Sequence, residues 1–236
     1  MKQIKIFAGV VFASVLISCN DTKAKQLQIS DNAPMNPVVA FLHREDLALK
    51  GPVKMAGDDY FDLNGYITES MGDIYTHSDS KSTMKTGKTL YTYTKNKKGQ
   101  FEKLTISGNN EPTYFTYHSN GLLASEYGIE NGISYKTTYT YDAKGRIKQC
   151  AYTYGDDPVK ISYYTYKNIN NDTLEIEIRF NNSKAKEIYR YKNGIMVAST
   201  LSGETTTYSY IFDARGNWLS QTTSYGSSTT RAITYY

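Results

Sequence analysis

Two cysteines, Cys19 and Cys150, and three histidines, His43, His77 and His118, are the whole supply of thiols and imidazoles in this 236-residue chain. Two thiols build neither a disulfide framework nor a cysteine-based zinc site from one chain. Thr86-Gly87-Lys88-Thr89 ends like a phosphate-binding loop. Ser82, however, stands where its first glycine belongs, and Leu90-Tyr91-Thr92-Tyr93 reads as a strand where phosphate would need a helix N-terminus. Asp62-Leu63-Asn64-Gly65-Tyr66-Ile67 has the spacing of a calcium loop, but Tyr60 and Met71 occupy the first and last ligand positions, so the charge is missing. Asp73, His77 and Asp79 lie close in sequence and read as a solvated loop rather than a metal site. His118 reads as a turn residue, and Cys150, between Gln149 and Ala151, as a small buried side chain. Asp172-Thr173-Leu174 fits a short O-glycosylation pattern. With no nucleophile elbow, no His-Glu-x-x-His and no carboxylate pair, the sequence nominates no catalytic, metal or cofactor-binding residue.

The elements around these residues follow from composition. The chain is 39% hydrophobic and 21% charged, enough for one sizeable core. Its 23 tyrosines and 8 phenylalanines exclude a disordered chain and point to β-structure rather than a Leu/Ala-rich bundle. The formal charge of +4 falls to +2 once Lys2 and Lys5 leave with the N-terminal segment, and basic residues are scattered among acidic ones. A phosphate-tracking surface needs clustered positive charge, so nucleic acid is not an expected partner.

Lys2 and Lys5 precede the apolar stretch Ile6 to Ile17, too short to span a hydrocarbon core of roughly 30 Å as a helix. It reads as a secretory signal over 1–18. Leu16-Ile17-Ser18-Cys19 resembles the lipobox of bacterial lipoproteins. The resemblance implies lipidation of Cys19, cleavage before it and several acyl chains, including palmitate, since one chain anchors only marginally. Asn20 rather than Asp follows, which favours delivery to the outer membrane of a Gram-negative envelope. The polar segment 19–36 reads as a flexible tether. Asn36-Pro37 and Gly51-Pro52 punctuate a short helix over 37–50, so 37–51 is a short helix or lead-in segment.

From 52 to 236 the sequence repeats. Phe61-Asp62-Leu63-Asn64-Gly65, Tyr117-His118-Ser119-Asn120-Gly121, Tyr141-Asp142-Ala143-Lys144-Gly145 and Phe212-Asp213-Ala214-Arg215-Gly216 each place glycine four residues after an aromatic, with variants at Tyr93, Tyr166 and Tyr191. The later glycines fall about 22 to 25 residues apart, the length of two paired strands and two turns. Asp accepts hydrogen bonds from nearby amides and Gly supplies positive φ, so these are hairpin tips. The expected fold is all-β: an open antiparallel meander of stacked hairpins with roughly 13 to 15 strands, its edges free to pair with another copy. Tyr91/Tyr93, Phe115/Tyr117, Tyr139/Tyr141, Tyr164/Tyr166, Tyr189/Tyr191 and Tyr210/Phe212 precede the tips at a spacing of two. In a strand that spacing shares a face, so the rings should stack into an aromatic ladder that forms the core.

The pattern aromatic-x-aromatic-Asp-x-x-Gly-Arg/Asn-apolar, best at Tyr139 to Ile147 and Tyr210 to Leu219, resembles the YD repeat of RHS-like proteins. Large members wind many units into a toxin-enclosing shell. About seven units are expected neither to close such a shell nor to carry cargo, so the repeat architecture alone transfers. The closing segment, Gly216-Asn217-Trp218 through Tyr236, is similar to the last unit of small RHS-like lipoproteins. The expected function is that of a non-catalytic envelope lipoprotein, tied to the membrane by its lipid, that binds a glycan or another envelope protein or acts as a scaffold. The alternatives are an immunity-type protein that binds a toxin, and an envelope hydrolase.

Overall fold

The computed structural model describes residues 49–236. The expected signal 1–18, the expected lipidation site Cys19, the expected tether, His43 and most of the expected helix lie outside the described residues. Nineteen strands and no helix occupy what is described. They are β1 (Val53–Ala56), β2 (Asp59–Phe61), β3 (Ile67–Ser70), β4 (Asp73–His77), β5 (Lys81–Thr86), β6 (Thr89–Lys95), β7 (Phe101–Ile106), β8 (Asn109–Tyr117), β9 (Leu123–Glu130) and β10 (Ile133–Tyr141), followed by β11 (Ile147–Tyr154), β12 (Lys160–Asn170), β13 (Thr173–Phe180), β14 (Lys186–Lys192), β15 (Ile195–Leu201), β16 (Glu204–Phe212), β17 (Trp218–Thr223), β18 (Ser228–Thr230) and β19 (Ile233–Tyr235). Strand follows strand antiparallel from β1 to β18, which is the expected meander. The strand number exceeds the expectation because short strands flank the regular repeats at both ends.

The meander does not stay open. The C-terminal segment first pairs as β18 with β17 and then, as β19, with β1, where Val53 faces Tyr235 and Ala56 faces Ile233. Arg231, between the two halves, donates its amide to Leu219 O at 2.9 Å and lays its guanidinium 3.6 Å from the Trp218 ring centroid. Asn217, 1% exposed, completes the closure. Its side chain accepts from Lys50 N at 2.6 Å and donates to Lys50 O at 2.9 Å and to the Tyr235 hydroxyl at 2.7 Å. A second, smaller core of Leu49, Val53, Ala56, Phe61 and Ile67 lies on these joined ends, with Tyr75, Ile233 and Tyr235 packed against it. The β1 edge is therefore covered from within the chain.

The tips have the chemistry read from the sequence. Asp142 N donates to Arg146 O at 2.8 Å, Gly145 N donates to Asp142 O at 3.0 Å, and Gly145 has φ of 78°. The Asp142 carboxylate accepts from the amides of Lys144 and Arg146, both at 2.9 Å. The same pair of backbone bonds recurs at Asp62, Asn96, His118 and Asp213. His118 has no such oxygen, and its Nε2 instead lies 3.2 Å from Tyr139 O.

One face carries the main core: Tyr93, Phe115, Tyr139, Tyr164, Tyr189 and Tyr191 are buried there with Leu123, Ile147, Leu174, Ile176 and Ile178, and Tyr117, Tyr141 and Tyr166 pack against them. The expected aromatic core is thus present, but most of its rungs are not ring on ring. The strands that carry the expected aromatic pairs alternate with others along the meander, and the strand between them separates them by about 10 Å. Ile176 fills that position, facing Tyr166 on one side and Tyr189 on the other. Tyr93 and Phe115 do stack, with centroids 6.3 Å apart. The last expected pair departs: Phe212 is exposed, because β16 pairs with β15 only as far as Thr207 and then passes to β17.

A second rule ties each hairpin to the one before it. The ladder slips by one residue just inside the tips, between Thr116/Tyr117, Thr140/Tyr141 and Ile211/Phe212 among others. Such a slip leaves a residue outside the regular pairing. The tyrosine one unit further on reaches back to the start of the strand that leaves the tip: Tyr117 donates to Phe101 O at 2.7 Å, Tyr141 to Leu123 O at 2.7 Å, Tyr166 to Ile147 O at 2.9 Å and Tyr210 to Met196 O at 2.7 Å. Tyr191 breaks the series, its hydroxyl buried without a partner among the described residues. The tip before it is the one without glycine, and its slip falls between Asn168 and Asn170, beyond Tyr166 instead of at it.

Two outcomes follow from these contacts. Tyr141→Phe should cost about 1–2 kcal/mol in a denaturant titration because Leu123 O loses its donor, whereas Tyr191→Phe should be neutral or stabilising because it removes an unpaired buried hydroxyl. Burial also raises the pKa of Tyr93, Tyr139, Tyr164 and Tyr191. A group that keeps its proton when folded, above an unfolded value of about 10, contributes stability that is full below about pH 10 and declines above it. Near-ultraviolet circular dichroism should hold to about pH 10 and collapse beyond it together with the rise in phenolate absorbance; full phenolate absorbance with native dichroism would contradict the burial.

Candidate functional site

The sequence motifs that hinted at chemistry are absorbed by the fold. Thr86-Gly87-Lys88-Thr89 is the turn from β5 to β6, and Asp62 to Tyr66 is a hairpin tip. Asp73 and His77 sit at opposite ends of β4, and Asp79 lies in the turn that follows. His77 Nε2 is 2.7 Å from Ile67 O and its Nδ1 is 3.4 Å from the Ser82 hydroxyl, while burial lowers its pKa. Among the described residues no group of three His, Cys, Asp or Glu is placed to hold a metal. Cys150 lies in the core of β11 opposite Tyr139, where burial pushes its thiol up to about 12, so it is no thiolate at neutral pH. Asp172 and Thr173 form the glycine-less tip, where the threonine hydroxyl donates to the aspartate at 2.7 Å.

Two constellations were not singled out from sequence. The first is Glu126, which points to the core face between Phe115 and Thr137. Burial raises its pKa, and among the described residues only the Thr137 hydroxyl, at 3.4 Å, donates to it. Beside it the Tyr135 ring crosses Gly128, where a Cβ would meet the Tyr135 hydroxyl at 3.1 Å, and that hydroxyl shares a 2.5 Å hydrogen bond with Thr113. Glycine is required here because the ring occupies the space of its side chain. The alternation rule hides Glu126 because β9 slips at Ala124, which puts Leu123 and Glu126 on one face at a spacing of three.

The second constellation lies on the opposite, solvent-facing side. There the strands carry hydroxyls and paired charges, such as Thr76 with Thr83 at 2.6 Å, Thr200 with Thr205 at 2.8 Å and Arg190 with Glu175 at 2.7 Å. Tyr114 and Tyr127 interrupt this surface. They face each other across β8 and β9, stack with centroids 5.5 Å apart and planes 25° apart, and remain 39% and 40% exposed. Lys103 of β7 faces Tyr114 and holds its Nζ 5.9 Å from that ring, and Lys136 of β10 faces Tyr127. The row continues through Thr94 to Lys81 on one side and to Thr153 on the other. Its signal is present in the sequence as the doublet Tyr114-Phe115, which puts one ring on each face of the strand. Stacked, half-exposed rings offer a flat apolar platform with hydroxyls at its rim.

No known family model matches the chain, and no curated protein matches it. Among solved structures it is similar to a porin-like protein from Bacteroides vulgatus, at 12% identity over 79% of this chain and 99% of that one with a TM-score of 0.45. It is also similar to a porin-like protein from Bacteroides uniformis, at 14% identity over 70% and 93% with a TM-score of 0.33. At this level the likenesses carry no functional argument.

Proposed function

We propose that this chain is a lipid-anchored envelope protein that binds a glycan on the solvent face of its sheet and catalyses no reaction. The observation that carries the reading is the stacked pair Tyr114 and Tyr127, half-exposed on a face that also carries hydroxyls, ion pairs and scattered exposed apolar side chains such as Ile129 and Tyr163. Sugar rings present C–H faces that pack on such a platform while their hydroxyls bond to its rim. A protein partner is the weaker match, since a stable protein interface covers upwards of about 1,000 Å² around an apolar centre. Here the neighbouring outward side chains are mostly small hydroxyls, Thr116 and Thr138, with Ile129 the single large apolar one beside Tyr127. The export reading rests on the residues before Cys19, and a tether would hold the sheet clear of the bilayer.

In the detergent-solubilised protein, Tyr114→Ala with Tyr127→Ala should weaken retention on immobilised envelope polysaccharides by about tenfold or more, while the lost cross-strand stack lowers the melting temperature by only a few degrees and the protein stays folded. Equal retention by the double variant would remove the platform from the account. For the anchor, Cys19→Ala should abolish labelling with a clickable palmitate analogue, and continued labelling would refute lipidation at that sulfur.

A further inference from the structure

The platform is charged on both flanks. Lys103 and Lys136 stand on either side of the tyrosine pair, and neither has an ion-pair partner among the described residues. On the same face Arg190 pairs with Glu175, Lys186 and Arg179 with Glu177, and Lys192 with Asp172, whereas Lys81, at the end of the row, is like Lys103 and Lys136 in having no ion-pair partner among the described residues. The row Lys81, Thr94, Lys103, Tyr114, Tyr127, Lys136 and Thr153 contains no carboxylate. An unneutralised pair of lysines around two rings selects for negative charge on whatever occupies the rings. The two lysines are three strand spacings apart, about 14 Å, which is the span of an oligosaccharide rather than of a single sugar.

We infer that the row Lys103–Tyr114–Tyr127–Lys136 is the binding site for an acidic polysaccharide, a chain of uronic-acid-type sugars whose rings lie on the tyrosines and whose carboxylates meet the lysines. This rests on the glycan reading above and specifies the ligand class. The carboxylate is the natural partner because an ammonium is a compact point charge with three donors that needs no planar, bidentate acceptor. The interaction is charge-assisted on an exposed surface, so it weakens with salt.

The test is affinity electrophoresis of the full chain in non-ionic detergent through gels containing polygalacturonate or its fully methyl-esterified form, with starch as a neutral glycan. The expected result is retardation by polygalacturonate only, reduced about tenfold or more in Lys103→Ala/Lys136→Ala and unchanged in Lys97→Ala/Lys98→Ala, a charge-matched pair on an exposed tip. If the esterified polymer or starch retards the protein as strongly as the acid, the acidic class is wrong while glycan binding stands. If both lysine pairs lose binding equally, the attraction is diffuse and the site is wrong. If no polymer retards the protein, both this inference and the glycan reading fall.

Discussion

The hydrogen bond from a tyrosine hydroxyl to a backbone carbonyl one hairpin away is the contact on which the rest of the sheet depends. A chain of antiparallel hairpins has strong bonds within each hairpin and a simple ladder between them, and nothing in the ladder alone fixes how far one hairpin slides against the next. Tyr117, Tyr141, Tyr166 and Tyr210 supply that constraint, because each ring must be buried and each hydroxyl must reach the strand that leaves the preceding tip. A one-residue change of register would turn the rings to water and leave both donor and acceptor unpaired. The repeat length is thus set by side-chain reach as well as by strand length.

This constraint separates the two faces. Most of the buried rings and aliphatics, with Cys150 and Glu126, go to one side, and the ion pairs and most exposed hydroxyls to the other. Once the core face is saturated by structural demands, the outward face is where ligand contacts can vary without disturbing the fold. Tyr114 and Tyr127 stand out there because the tyrosine relay does not use them.

Much of this was legible in the sequence for physical reasons. Asp142 and Gly145 form the tip that an Asp-x-x-Gly turn dictates, and the aromatics two residues apart mark the core face by strand periodicity alone. The slips beside the tips were not legible. They shift the phase so that Leu123 with Glu126, and Ile147 with Cys150, share a face at a spacing of three, which defeats alternation. The pairing of β19 with β1 and the clasp between Asn217 and Lys50 join residues far apart in the chain, and no local pattern encodes such a contact. Most rungs of the expected ladder are not ring on ring because a further strand lies between successive strands that carry the aromatic pairs.

Hydrogen exchange of the native full chain, followed by mass spectrometry at increasing denaturant, is the most direct measurement of whether the tyrosine contacts bind the hairpins into one cooperative unit. The account predicts that amides from β6 to β13 share a single large opening free energy. It also predicts that Tyr141→Phe lowers that value on both sides of the substituted hairpin. Separate protection values hairpin by hairpin, with the effect of Tyr141→Phe confined to β10 and β11, would contradict it.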